Sequence, residues 1–174
     1  MVHDAKQAKA IIDKALYPPR GSRSFGPYSA PWGDAQSTST TFASYYQKAQ
    51  REEIAILPII ESREGVRNAE EIMSVEGVTG VFIGPYDLRL SMGLPGGSDG
   101  EEPEFTQALE KICSIGKNLN KPVGSMGSGS LLAQKRALQG MQFLLVSFDR
   151  NAMIQGFQAD LRAAQQGTQN ATKL

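Results

Sequence analysis

The 174-residue sequence predicts an α/β protein of the (β/α) TIM-barrel type, parallel strands alternating with helices over about the C-terminal half of a barrel. Three observations carry that prediction. Four short apolar runs, Ile54–Ile60, Val78–Ile83, Pro122–Ser125 and Phe143–Val146, lack the apolar–polar alternation of a half-solvated strand. Such strands, apolar on both faces, belong in a parallel sheet, and each run is followed by a segment of helical spacing that can cover it. Length is the third: four β/α units are half of an eight-stranded barrel, and a whole one needs about 250 residues. Residues 1–174 read as a single domain.

Each element has a local reason. Ala8, Ile11, Ile12 and Leu16 recur at helical spacing over Asp4–Leu16, with Asp4 placed to cap, and Tyr17-Pro18-Pro19 ends that helix. Arg20–Thr41, rich in Gly, Ser, Pro and Thr, reads as a long loop, and long loops within compact domains are usually functional or mobile. Phe42–Arg51 reads as a short helix before the first apolar run. Glu64–Val75 is predicted as one helix, carrying Val66, Ala69, Ile72 and Met73. After the second run, Gly84-Pro85 reads as a turn opening a loop through Gly100. Helices follow over Pro103–Leu119, Ser130–Leu138 and Asn151–Gln165, the last with Met153, Ile154, Phe157 and Leu161 on one stripe.

Composition excludes several classes. Hydrophobic residues are 40% and charged residues 21%, as in a globular chain and not a disordered one. Lys plus Arg and Asp plus Glu are 18 each, so the zero net charge gives no electrostatic reason for nucleic acid or an anionic membrane as partner. The apolar runs are far shorter than the roughly 20 residues of a spanning helix, and Met1–Lys6 has no signal-peptide core, so a cytoplasmic protein is the expectation. Cys113, the one cysteine, falls within a helical pattern as a buried thiol.

In parallel α/β folds ligands sit at the carboxyl ends of the strands, so the polar residues just past each run are the candidates. They are Glu61, Asp87, Ser125, and Ser147 with Asp149. Glu61 and Asp87 follow adjacent strands and could converge on one divalent cation; oxygen donors favour Mg²⁺ or Mn²⁺. The plainer reading makes them a helix cap and a loop charge. Backbone amides of Gly84-Pro85-Tyr86-Asp87 suit a small carboxylate. Arg20 and Arg23 read as solvated loop cations, Gly96-Gly97 as a turn, and His3 as a solvated terminal residue. Trp32 and Tyr28 could cover a site or fill a subunit contact. The sequence carries no Ser/His/Asp triad, Cys/His zinc cluster or dinucleotide fingerprint.

These tracts resemble the HpcH/HpaI aldolase family. The resemblance is carried by Tyr17-Pro18-Pro19-Arg20-Gly21-Ser22-Arg23-Ser24-Phe25-Gly26 and by Ile60-Glu61-Ser62-Arg63-Glu64. Val75-Glu76-Gly77-Val78-Thr79-Gly80-Val81-Phe82-Ile83-Gly84-Pro85-Tyr86-Asp87-Leu88 and Ser91-Met92-Gly93 extend it. It implies a metal-dependent aldolase that cleaves or forms 4-hydroxy-2-oxo acids through a pyruvate enolate. By that resemblance Glu61 and Asp87 hold a divalent metal (Mg²⁺ or Mn²⁺, with Co²⁺ as a further candidate). Gly84, Tyr86 and Asp87 cradle the pyruvate carboxylate, and an aldehyde is the second substrate. It further implies a homo-oligomer whose last helix packs on a neighbouring subunit.

Departures from the family's pattern accompany the match. The resemblance aligns Met1-Val2 near the end of the fourth barrel strand, so the family's acid/base histidine and keto-binding arginine lie in a portion absent from this sequence. Ile59 stands where some members have a glutamine; Ser24 and Ser147 replace glycines. A rival expectation is therefore a non-catalytic remnant or an incomplete gene model, acting through oligomerisation or binding. A lyase acting on an acyl-CoA ester is a weaker alternative, lacking a basic cluster for the CoA phosphates.

Overall fold

The computed structural model describes residues 1–26, 41–51 and 53–171. Trp32 and Tyr28 lie outside the described residues. Helix α1 (Ala5–Ala15) opens on Asp4, whose side chain accepts from the Gln7 amide at 2.7 Å, the predicted cap. Helix α2 (Phe42–Gln50) opens on Thr41 in the same way, accepting from Ser44 N at 3.2 Å.

The first apolar run pairs regularly only at its end, as strand β1 (Ile59–Ile60). Pro58 has no amide to give to a ladder, and Ile56 is tied to Thr79 through the threonine hydroxyl, which accepts from Ile56 N at 2.7 Å. On the far side of β1 the Val2 amide donates to the Ile59 carbonyl at 3.0 Å, so the start of the chain lies along that edge. The predicted helix Glu64–Val75 divides into α3 (Arg63–Arg67) and α4 (Ala69–Ser74). Asn68 stands at the break with φ −95° and ψ 13°, its side-chain amide donating to the His3 carbonyl at 2.8 Å.

Strand β2 (Val81–Ile83) leads into helix α5 (Pro85–Ser91), where Gly84-Pro85 predicts a turn and loop. Proline at the first helical position has no amide to leave unpaired and a preset φ, so Gly84-Pro85 starts a helix here. Helix α6 (Pro103–Asn118), strand β3 (Val123–Met126), helix α7 (Ser130–Leu138) and strand β4 (Phe143–Leu145) follow. Helix α8 (Asp149–Ala171) begins earlier and ends later than predicted.

The four strands are parallel in the order β1-β2-β3-β4. Register separates two faces. Ile60, Ile83, Ser125 and Leu144 lie in one row, while Ile59, Phe82, Gly124 and Phe143 lie in the other. The first row and Val81 and Val123 pack on α1, α4 and α6 in a core with Ile12, Ile72, Met73, Phe105, Leu109 and Ile112. The second row is the more open face. There the Phe82 and Phe143 rings stand 6.4 Å apart, and a Cβ on Gly124 would run into the Phe143 ring. Every α8 residue whose side chain is described is exposed. No helix among the described residues is long and apolar enough to cross a membrane.

Candidate functional site

Glu61 is the first residue after β1, and Gly84 the first after β2; Ile60 and Ile83 are register partners, so the two residues sit side by side at the carboxyl ends. Their closeness needs a glycine. A Cβ at position 84 would overlap Glu61 Oε2 and come within 2.9 Å of Glu61 Cβ, so the carboxylate lies directly over the Gly84 Cα. Glu61 is not a helix cap. That role belongs to Ser62, whose hydroxyl accepts from Gly65 N at 3.1 Å and is buried.

Asp87 is in the first turn of α5, exposed, and so on the same rim as Glu61. Among the described residues neither carboxylate pairs with a lysine or arginine side chain. Glu61 Oε1 lies 3.4 Å from the Met1 ammonium. Two oxygen-donating carboxylates without side-chain cations, one seated in a cradle only glycine allows, suit a hard divalent ion.

The same helix start offers amides. Gly84 N is already used, donating to the Ile60 carbonyl at 3.1 Å, and Pro85 has none. Leu88 N closes the first helical bond onto Gly84 O at 3.0 Å. Tyr86 and Asp87 therefore carry the two first-turn N–H groups with no partner inside the helix, and among the described residues no side chain caps them. Gly84 contributes space for Glu61, and Tyr86 and Asp87 contribute donors.

The remaining candidates fall elsewhere. Ser125 lies inside β3, fully buried, donating to the Ile83 carbonyl at 2.9 Å; it ties strands together and faces the core. Ser147 is exposed and donates to the Phe148 carbonyl at 3.3 Å, and Asp149 accepts from Arg150 N at 2.7 Å at the start of α8. His3 is partly exposed and also held, its Nδ1 2.8 Å from Ser62 Oγ. Arg23 is likewise engaged, its guanidinium 4.7 Å above the Tyr17 ring, and Arg20 donates to the Gln50 carbonyl at 3.3 Å. Cys113 is partly buried, and that burial raises its thiol pKa. A cavity of about 470 Å³ lined by Lys9, Ile12, Asp13, Leu16, Arg20, Val75 and Glu76 contains none of the site residues.

Sequence spacing predicts a loop through Gly100 and gives no sign that its later part is fastened to α5. Arg89, nearly buried on α5, grips Glu102 with both ends of its fork at 2.6 and 2.8 Å and donates to the Pro95 carbonyl at 2.9 Å. Hydrogen bonding from Arg89 pulls the Glu102 pKa down to about 2. The available signal was Arg89 itself, a cation at the apolar spacing of a short helix.

With this arrangement in place, comparison with known proteins identifies the class. Residues 1–155 match the HpcH/HpaI aldolase/citrate lyase family, and the chain belongs to it. It is 31% identical over 152 residues to a 2-keto-3-deoxy-L-rhamnonate aldolase of Klebsiella pneumoniae, covering 86% of this chain and 53% of that protein. It is 33% identical over 149 residues to a hydroxypyruvate/pyruvate aldolase of Rhizorhabdus wittichii, covering 86% and 56%. Among solved structures, the HpcH/HpaI aldolase from Desulfitobacterium hafniense superposes with a TM-score of 0.67 at 26% identity, over 94% of this chain and 61% of the other. The chain thus spans little more than half the length of the curated relatives it matches.

Proposed function

We propose that this chain supplies the metal- and carboxylate-binding part of a divalent-metal-dependent carbon–carbon lyase acting on pyruvate-like 2-oxo acids and an aldehyde. One observation carries it: the Glu61 carboxylate, seated on Gly84 without a cationic side chain, lies beside the start of the helix that bears Asp87. Glu61 and Asp87 would hold the ion, Mg²⁺ or Mn²⁺ with Co²⁺ as a further candidate. Mg²⁺ is commonly held by one or two carboxylates, with substrate and water completing its shell. When bound, the ion supplies Lewis-acid stabilisation of negative charge growing on the 2-oxo group. The Tyr86 and Asp87 amides, at a positive helix end, receive the substrate carboxylate and fix its orientation. Serving as a donor, each amide stays fixed while charge develops, which is what such a site requires. The proton transfer of carbon–carbon cleavage falls to a group other than Glu61, Tyr86 and Asp87. The relatives' printed activities, on keto-deoxy-rhamnonate and on hydroxypyruvate and pyruvate, support this substrate class. Association of copies through α8 is part of the same proposal.

Calorimetric titration with Mg²⁺ or Mn²⁺ tests it. Glu61→Gln and Asp87→Asn each remove one ligand charge and are expected to weaken ion binding by about tenfold or more, since affinity follows ligand charge. Release of pyruvate from a 4-hydroxy-2-oxo acid should fall in step. Unchanged ion affinity in both variants would remove the basis of the proposal.

A further inference from the structure

Arg63, two residues after Glu61, joins three helices. It is the first residue of α3, so its amide has no partner within that helix, and Ser91 Oγ at the end of α5 accepts from it at 3.2 Å. The return contact serves α5. The last carbonyls of that helix lie beyond the reach of its own N–H groups, and the Arg63 guanidinium takes them. Nε donates to Ser91 O at 3.1 Å and Nη2 to Met92 O at 2.8 Å. Glu104, in the first turn of α6, accepts from Nη2 at 3.1 Å and lies 2.5 Å from Nη1. The side chain is half exposed, yet all three guanidinium nitrogens are engaged. Arg67, one turn farther along α3, lines the same groove, and among the described residues its side chain makes no bond to α5.

These contacts close a ring around the two candidate ligands. Glu61 lies between Ile60, paired to β2, and Arg63, tied to α5. Asp87 lies between Gly84, whose amide donates to the Ile60 carbonyl, and Ser91, whose hydroxyl holds Arg63 N and donates to Leu88 O at 2.7 Å. Both carboxylates therefore stand on short spans fastened at each end, and each fastening joins one span to the other. Ser91 and Asp87 are one helical turn apart, so the α5 face that meets Arg63 is the face that carries Asp87.

We infer that the Arg63–Ser91 contact is a clamp that sets the spacing of Glu61 and Asp87, with Arg63 and Ser91 as positioning residues for the ion those carboxylates hold; this rests on the ion site proposed above. The clamp matters most to a small ion. Mg²⁺ requires near-octahedral geometry at about 2.0–2.1 Å, whereas Ca²⁺ accepts oxygens at about 2.3–2.6 Å in looser arrangements. A loosened spacing therefore weakens Mg²⁺ more than Ca²⁺. Charge works the other way. The Arg63 cation repels any divalent ion on the rim, so its removal by itself strengthens the binding of both. Position and charge predict opposite signs for the same substitution.

The test is calorimetric titration with Mg²⁺ and, separately, with Ca²⁺, at a temperature where melting curves show parent and variants folded. Arg63→Gln and Ser91→Ala should each weaken Mg²⁺ roughly ten- to hundredfold, the usual loss when a residue that orients a metal ligand is removed, with Ca²⁺ affinity much less changed. Arg63→Lys, which keeps the charge but loses the fork, should fall between Arg63→Gln and the parent. Arg67→Gln removes the same charge without touching α5 and should bind Mg²⁺ at least as tightly as the parent. Should Arg63→Gln fail to fold, Ser91→Ala, which removes a single oxygen, decides the matter. Parent-like Mg²⁺ affinity in Ser91→Ala, or tighter Mg²⁺ binding by Arg63→Gln, overturns the clamp and leaves the ion site standing. So does an equal loss of both ions. A parent chain that binds no Mg²⁺ overturns the ion site and the clamp together.

Discussion

At the scale of single residues the site depends on what Gly84 lacks. Glu61 Oε2 occupies the space of a side chain at 84, and Glu61 Cβ, fixed by the backbone of β1, cannot withdraw as its carboxylate can. Gly84→Ala should therefore keep the fold at a cost of about 1–3 kcal/mol, the usual range for an overpacked contact. Its divalent-ion affinity should fall roughly ten- to hundredfold, as when a group that orients a metal ligand is lost. Melting and ion titration on the same preparation separate the two effects, and full ion affinity in Gly84→Ala would contradict the placement of Glu61. Position relative to the apolar runs put Glu61 and Asp87 among five candidates, and the family resemblance set the pair apart from the rest. Position could not show that the Gly84 amide is consumed by Ile60, because a backbone amide has the same sequence signature whether paired or free. Nor could it separate Ser125 from Glu61: both end apolar runs, and only the register shows that Ser125 sits in the core row and Glu61 continues the open one.

At the scale of elements, the long helices were legible from apolar spacing and the short ones were not. Helix α5 has seven residues, too few to display a period, and its Gly-Pro opening is equally a turn signal. The Glu64–Val75 pattern continues unbroken through Asn68, and the bond that divides it comes from His3, far away in sequence. The link between α5 and Glu102 was hidden for the same reason, since Arg89 and Glu102 meet only in the fold. Their pairing gives a pH prediction. Glu102 is depressed from 4.5 to about 2, chiefly by its hydrogen bonds from Arg89. A carboxylate whose folded pKa is lowered contributes stability that is complete above its unfolded pKa and is lost as pH falls through the folded one. Glu102→Gln should therefore melt below the parent at neutral pH, and the gap should hold down to about 4.5 and close toward about 2. Melting curves of both proteins across that acid range measure it; a gap that widens on acidification has the wrong sign for this pair.

At the scale of the whole molecule, the parallel sheet and its order followed from the alternation of apolar runs with helices. What that pattern could not reveal is which surfaces stay uncovered. Helix α8 shows this most clearly. Its 23 residues carry an apolar stripe, yet Met153, Phe157 and Leu161 are 60%, 69% and 59% exposed, with Ile154 beside them. Helices in water owe most of their stability to the packing of such a stripe, and one left bare is a poor match for solvent. Large exposed apolar patches mark interaction surfaces. The occupant proposed is another copy of this chain, and the prediction is made on that basis. The parent should sediment as an oligomer at micromolar concentration, with α8 helical by circular dichroism. Met153→Glu/Phe157→Glu places two charges in the stripe and should shift the chain to monomer with reduced helicity, while leaving the α1, α4 and α6 core untouched. Equilibrium sedimentation over a range of concentrations decides it. A parent that remains monomeric throughout, or a double variant that associates as the parent does, would mean that α8 is not the surface through which copies meet.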